Sequence, residues 1–156
     1  MPNNTYTLTT PTSFLANFKA VTKMGLSLSV VFSSIAGYLL AAEIVHFPTL
    51  FLLAIGGYFM VGASNVFNQI IERDLDALMT RTKNRPIPTG RMSVSFAFVL
   101  AVILTVAGLS ILYTINERTA MFGAISICLY TSAYTPLKTK TPLSVFVGAI
   151  PGAIPF

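Results

Sequence analysis

Apolar residues in this chain fall in long unbroken blocks with short polar punctuation, unlike the stripes and alternations of a soluble core. Four uncharged runs, Met24 to Ala42, Phe47 to Ile71, Met92 to Asn116 and Thr119 to Leu137, reach the ~20 residues a helix needs to cross hydrocarbon. A fifth run begins near Thr141 and continues to Phe156. Backbone groups in lipid must pair within their own segment, and the dyad pattern of a barrel strand is absent, so the runs are read as helices. The expected fold is an all-α polytopic transmembrane bundle with four complete spans plus the start of a fifth. A polar N-terminal tail is expected over residues 1–18, and a truncated membrane domain, the N-terminal part of a larger bundle, over 19–156.

Composition agrees: 54% of the 156 residues are hydrophobic and 10% charged, which excludes an ordinary soluble domain and places the chain in a lipid bilayer. Ten basic residues against five acidic ones do not imply a nucleic-acid partner here, because the charges are sorted by position. Lys19 and Lys23 precede the first run, Arg73, Arg81, Lys83, Arg85 and Arg91 follow the second, and Lys138 and Lys140 follow the fourth. Only Arg118 lies on the other side, so the positive-inside rule puts the N-terminus and the basic loops in the cytoplasm of a bacterial inner membrane. Residues 1–18 lack the basic start and short apolar core of a cleaved signal. Cys128 is the only cysteine and is read as a packing residue.

The connections Glu43 to Pro48 and Asn116 to Arg118 are too short for anything but tight turns, which leaves the opposite face for chemistry. There the second helix is expected to run on to about Met79, followed by a rigid loop around Arg85-Pro86-Ile87-Pro88-Thr89-Gly90 and a third helix from Ser93. A second proline-bracketed basic loop runs from Thr135 to Pro142. Gly148 and Gly152 form a small-xxx-small pair suited to close helix contact.

At 100° per residue, Asn65, Asn68, Glu72 and Asp76 share one helix face, with Gln69 at its margin. Carboxylates at i and i+4 repel. A divalent cation removes that penalty, and hard oxygen ligands that leave coordination sites open suit Mg²⁺ on Asn68, Glu72 and Asp76. Asp74 points roughly 200° away from Glu72 on the same helix and is the weaker ligand candidate. Arg81 and Arg85 can offer bidentate donors to phosphate oxygens, with Lys83, Lys138 and Lys140 as point charges. Carboxylates, metal and cations on one rim above an apolar bundle describe a clamp for a polyprenyl diphosphate whose tail lies between helices. No phosphate-binding GxxxxGK[ST] loop and no histidine-rich metal spacing occurs. The plainer alternative is a helix end in water followed by a basic anchor on anionic lipid. Asn65 and Asn68 weigh against it, since amides inside a span are costly when they face lipid.

Asn68-Gln-Ile-Ile-Glu72-Arg-Asp-Leu-Asp76, followed by Arg81-Thr-Lys-Asn-Arg85-Pro86 and Gly90, resembles the first aspartate-rich motif of the UbiA-type intramembrane prenyltransferases. Gln69 and Glu72 stand where the family usually has aspartates, which is similar to the haem branch of that family. Tyr134-Thr-Pro-Leu-Lys138-Thr-Lys140-Thr-Pro-Leu143, running into Val147-Gly148-Ala-Ile-Pro151-Gly152, resembles the same branch, and Lys23 with the apolar helix behind it matches more weakly. The resemblance implies a bundle of about nine spans with a second carboxylate motif beyond Phe156, so activity of this stretch alone is not expected. It further implies farnesyl transfer from farnesyl diphosphate to a vinyl group of haem b, giving haem O, with haem-pathway or terminal-oxidase assembly partners. Catalytic roles then fall to Asn68, Glu72 and Asp76, and diphosphate binding to Arg81, Arg85, Lys138 and Lys140.

Tyr130 and Tyr134, one turn apart, are candidates for the acceptor pocket, although aromatics near a span end also serve as interface anchors. His46, the only histidine, lies on the far side from the carboxylates and is read as a turn residue, not a haem ligand. Other readings stay open: prenylation of another acceptor such as 4-hydroxybenzoate, a transporter binding a cation at a helix end, or an accessory subunit.

Overall fold

The computed structural model describes residues 13–137, Ser144, Gly148 and Ala149. Every regular element among them is helical. The first, α1 (Phe14–Val21), is capped by Ser13, whose hydroxyl accepts from the Ala16 amide. Residues 14–18, expected in the polar tail, are therefore helical, and the reason is a buried face made by Asn17 and Val21. After a break at Thr22 and Lys23 come α2 (Met24–Ala41), α3 (Phe47–Ile71), the short α4 (Arg73–Leu78) and α5 (Val94–Ile115). Next comes α6 (Glu117–Cys128), which continues into a π-helical turn (Leu129–Tyr134) and a last turn, α7 (Thr135–Leu137).

Three of these helices, α2, α3 and α5, are long and apolar enough to cross a membrane. The fourth expected span is a helix of mixed pitch. Thr135, Pro136 and Leu137, expected in a loop, extend it. Proline has no amide hydrogen to give a helix, and the turn in front of Pro136 widens to i→i−5 pairing, with the Thr135 amide donating to the Tyr130 carbonyl.

The short connections are tight turns, as their lengths require. The His46 amide donates to the Tyr38 hydroxyl at 3.1 Å, and Pro48 sits in the first turn of α3, where its missing donor costs nothing. Asn116 ends α5 and caps α6, its side-chain oxygen accepting from the Arg118 amide at 2.8 Å. On the opposite face α5 begins at Ser93 as expected, and the Ser93 hydroxyl caps it by accepting from the Phe96 amide.

The central helix is α3, packed against α2, α5 and α6. Its crossing with α5 is close because small residues meet there. A Cβ on Gly108 would lie 3.0 Å from Met60 Cγ and 3.2 Å from the Gly56 carbonyl oxygen, and backbone cannot move aside as a side-chain tip can. Gly108→Val is therefore expected to destabilise the bundle by about 1–3 kcal/mol. Thermal unfolding in detergent checks this against Gly25→Ala, whose Cβ would meet nothing within 4 Å and which should unfold no earlier than the parent.

One apolar cluster joins Val21, Val66, Ala97 and Ala101 to Ile87 and Met92 of the long connection. Two buried side chains thus anchor the loop that carries Arg85. Its turn is closed by Gly90 at φ 72°, a conformation open to glycine, and by the Met92 amide on the Pro86 carbonyl at 3.0 Å.

Candidate active site

Asn65, Asn68, Gln69, Glu72 and Asp76 are all buried. The helix breaks at Glu72, with φ −93° and ψ 4°, yet the Glu72 amide still pairs with Asn68 O and the Asp76 amide with Glu72 O. Register is kept, and the two carboxylates and the Asn68 amide remain at i, i+4 spacing across the break. Asn68 Nδ2 donates to Glu72 Oε2 at 2.9 Å. Arg85 Nη1 donates to Asp76 Oδ2 at 2.6 Å, with 5% of the Asp76 side chain and 20% of the Arg85 side chain exposed. Thr82 Oγ1 closes the start of the loop onto the Asp76 carbonyl at 3.0 Å.

The other predicted residues separate. Asp74 turns outward, its side chain 90% exposed and paired with Arg73 at 3.4 Å, as its angular offset requires. Arg81 and Lys83 are exposed on the loop. Lys138 and Lys140 lie outside the described residues. Tyr130 and Tyr134 are in ring contact, centroids 5.0 Å apart with their planes tilted by 35°, and Gly148 lies against Tyr134, where a Cβ would come within 2.7 Å of the ring. His46 is exposed at the start of α3, at the opposite end of that helix from Glu72.

Two amides on the predicted face serve a different purpose. Gln69, fully buried, donates to the Val21 carbonyl at 2.7 Å, and Asn65 donates to the Thr22 carbonyl at 3.2 Å and Ser27 Oγ at 3.3 Å. Ser27 Oγ also donates to the Thr22 carbonyl. Together they hold the break between α1 and α2, where Lys23 adopts a left-handed φ of 49°, a conformation that costs an L-residue roughly 1–2 kcal/mol. Sequence reasoning also missed Thr135, which is buried with its Oγ1 3.2 Å from Asn68 Oδ1. A threonine beside a proline in an apolar helix carries no spacing signal of its own.

An apolar cavity of about 490 Å³ opens below this polar end, with Asn65, Ser64 and Tyr130 in its lining and Leu53 and Thr119 further along. From Asn65 to Leu53 along α3 is about 18 Å.

Among the described residues no three His, Cys, Asp or Glu side chains converge as a metal cage. Glu72, Asp76 and Asn68 instead put two carboxylates and an amide, side chains that carry hard oxygen atoms, in one buried row beside the Arg85 guanidinium. That donor set fits Mg²⁺, which normally takes one or two carboxylates and completes its shell with water and phosphate oxygens.

Residues 30–156 match the UbiA prenyltransferase family, and the chain belongs to that family of polytopic membrane prenyltransferases. It is 71% identical over 144 residues to a protoheme IX farnesyltransferase from Christiangramia forsetii, covering 92% of this chain and 48% of that protein. It is 67% identical to the Flavobacterium psychrophilum protein of the same name, over 92% of this chain and 49% of the other. The chain thus spans about half the length of the curated relatives it matches. Among solved structures, a UbiA homologue from Archaeoglobus fulgidus bound to DMAPP and Mg²⁺ aligns with a TM-score of 0.80 at 17% identity, over 90% of this chain and 52% of that one. A digeranylgeranylglyceryl phosphate synthase gives 0.82 at 20% identity, over 90% and 50%. At those identities the likeness concerns the fold.

Proposed function

We propose that this chain forms the donor-binding half of an enzyme that transfers a farnesyl group from farnesyl diphosphate to a vinyl carbon of protohaem IX, giving haem O. The observation that carries it is the buried row of Asn68, Glu72 and Asp76, with Arg85 bonded to Asp76, standing over an apolar cavity. Two relatives above 65% identity carry the name of that reaction.

Mg²⁺ bound by Glu72, Asp76 and Asn68 would supply Lewis-acid stabilisation of the departing diphosphate. Arg85, bonded to Asp76, is assigned to the same anion together with Arg81 and Lys83 of the exposed loop, and Lys138 and Lys140 are assigned to it from the sequence. The bond from C1 of the farnesyl group to oxygen breaks, and its electron pair leaves with diphosphate. The vinyl π electrons of the haem then form the new carbon–carbon bond, and water adds to the resulting cation and loses a proton. Apolar walls keep water from the allylic cation before that step. Tyr130, in the cavity lining, is assigned to the acceptor side with Tyr134. The basic face, and so the diphosphate site, is assigned to the cytoplasmic side of a bacterial inner membrane.

The test is haem extracted from membranes carrying the intact protein. Mg²⁺-dependent conversion of haem b and farnesyl diphosphate to haem O is expected. Prenylated 4-hydroxybenzoate with unaltered haem would instead identify a quinone-pathway enzyme.

A further inference from the structure

Thr135 has one hydroxyl proton and two claimants for it. Oγ1 lies 2.8 Å from the Tyr130 carbonyl oxygen and 3.2 Å from Asn68 Oδ1. A hydroxyl donates once and accepts through two lone pairs, so the shorter contact, set up by the π-helical turn, takes the proton. What then faces Asn68 is a lone pair opposite an amide oxygen, a poor match. The other end of the same amide, Nδ2, is bonded to Glu72 Oε2 at 2.9 Å.

We propose that Thr135 is a positioning residue for the metal ligands, a buried acceptor that holds the Asn68 amide in the orientation a cation requires. In this structure the amide hydrogens of Asn68 face the Glu72 carboxylate, as its negative charge requires. A cation on Glu72 repels those hydrogens and attracts the carbonyl oxygen. Turning the amide over puts Oδ1 on the cation side and Nδ2 towards Thr135, whose proton stays on the Tyr130 carbonyl and whose lone pair accepts. The mismatch at 3.2 Å becomes a proper hydrogen bond. Without the hydroxyl the turned amide would bury a donor with no acceptor at that place, which disfavours the metal-bound form. The π-helical turn gains a purpose: it aims Oγ1 from the fourth span at the second.

This inference rests on Asn68 and Glu72 being metal ligands, and the test separates the two ideas. Mn²⁺ alone is titrated into the full-length protein in nanodiscs and followed by electron paramagnetic resonance. Glu72→Gln should lose binding; binding that survives Glu72→Gln removes the metal site itself. Thr135→Val should weaken Mn²⁺ affinity about 10-fold, the order found when an outer partner of a ligand is removed, and Thr135→Ser should restore it. If Glu72→Gln loses binding while Thr135→Val titrates like the parent, or if Thr135→Ser is as weak as Thr135→Val, the role given to the hydroxyl is wrong. Should Thr135→Val fail to accumulate folded, Thr135→Ala gives the same comparison without a second branch at Cβ.

Discussion

Asp76→Asn is expected to lower kcat/KM for farnesyl transfer by roughly 100-fold or more, the scale seen when one preorganised group facing developing charge is removed. The side chain it replaces is nearly isosteric, and the only other described contact of Asp76 with the loop is made by its backbone carbonyl to Thr82, so the fold should persist. What is lost is charge. An amide oxygen is a weaker ligand for a hard cation than a carboxylate, and Arg85, 2.6 Å away, loses its counter-ion. Raising Mg²⁺ should recover part of the rate. Asp74→Asn is the control: a side chain 90% exposed beside Arg73 should change turnover little. Equal losses in the two variants would mean that general surface charge matters and the buried row does not.

The helices that span, the tight turns and the start of α5 at Ser93 were legible because each has a local cause: apolar length, a cap, a proline in a first turn. The clustering of Asn68, Glu72 and Asp76 was legible for the same reason, since helical spacing survives the break at Glu72. Asn65 and Gln69 show where periodicity stops being informative. It places them on the inward side but does not say what they face, and their partners are the Val21 and Thr22 carbonyls and Ser27 Oγ around the break between α1 and α2, where Thr22 and Lys23 are neither glycine nor proline. The bond between Arg85 and Asp76 depends on a loop fold fixed by Ile87 and Met92 in the core, a tertiary matter. The widened turn before Thr135 is likewise invisible in hydropathy, because a π-helical turn uses the same apolar residues as an α-helical one.

Filling the cavity should change donor length before it changes the chemistry. Gly57 of α3 lines the cavity eight residues, about 12 Å, from Asn65. A Cβ there would meet only Val31 Cγ2 at 3.8 Å, ordinary contact, so a larger side chain has room at its base and must project into the open space. Gly57→Leu adds isobutyl bulk where the distal isoprene of a farnesyl chain would lie, while the polar end around Glu72 and Asp76 is untouched. Farnesyl diphosphate use is expected to fall at least ~10-fold, the order by which apolar pockets reject an added group. Geranyl and dimethylallyl diphosphates, lacking the distal units, should lose much less. Competition between donors of five, ten and fifteen carbons, read from the mass of the prenylated product, measures the ratio directly. A uniform loss across all three would point to a disturbed contact between α2 and α3, and an unchanged ratio would place the tail outside this cavity, on some other path away from the carboxylates.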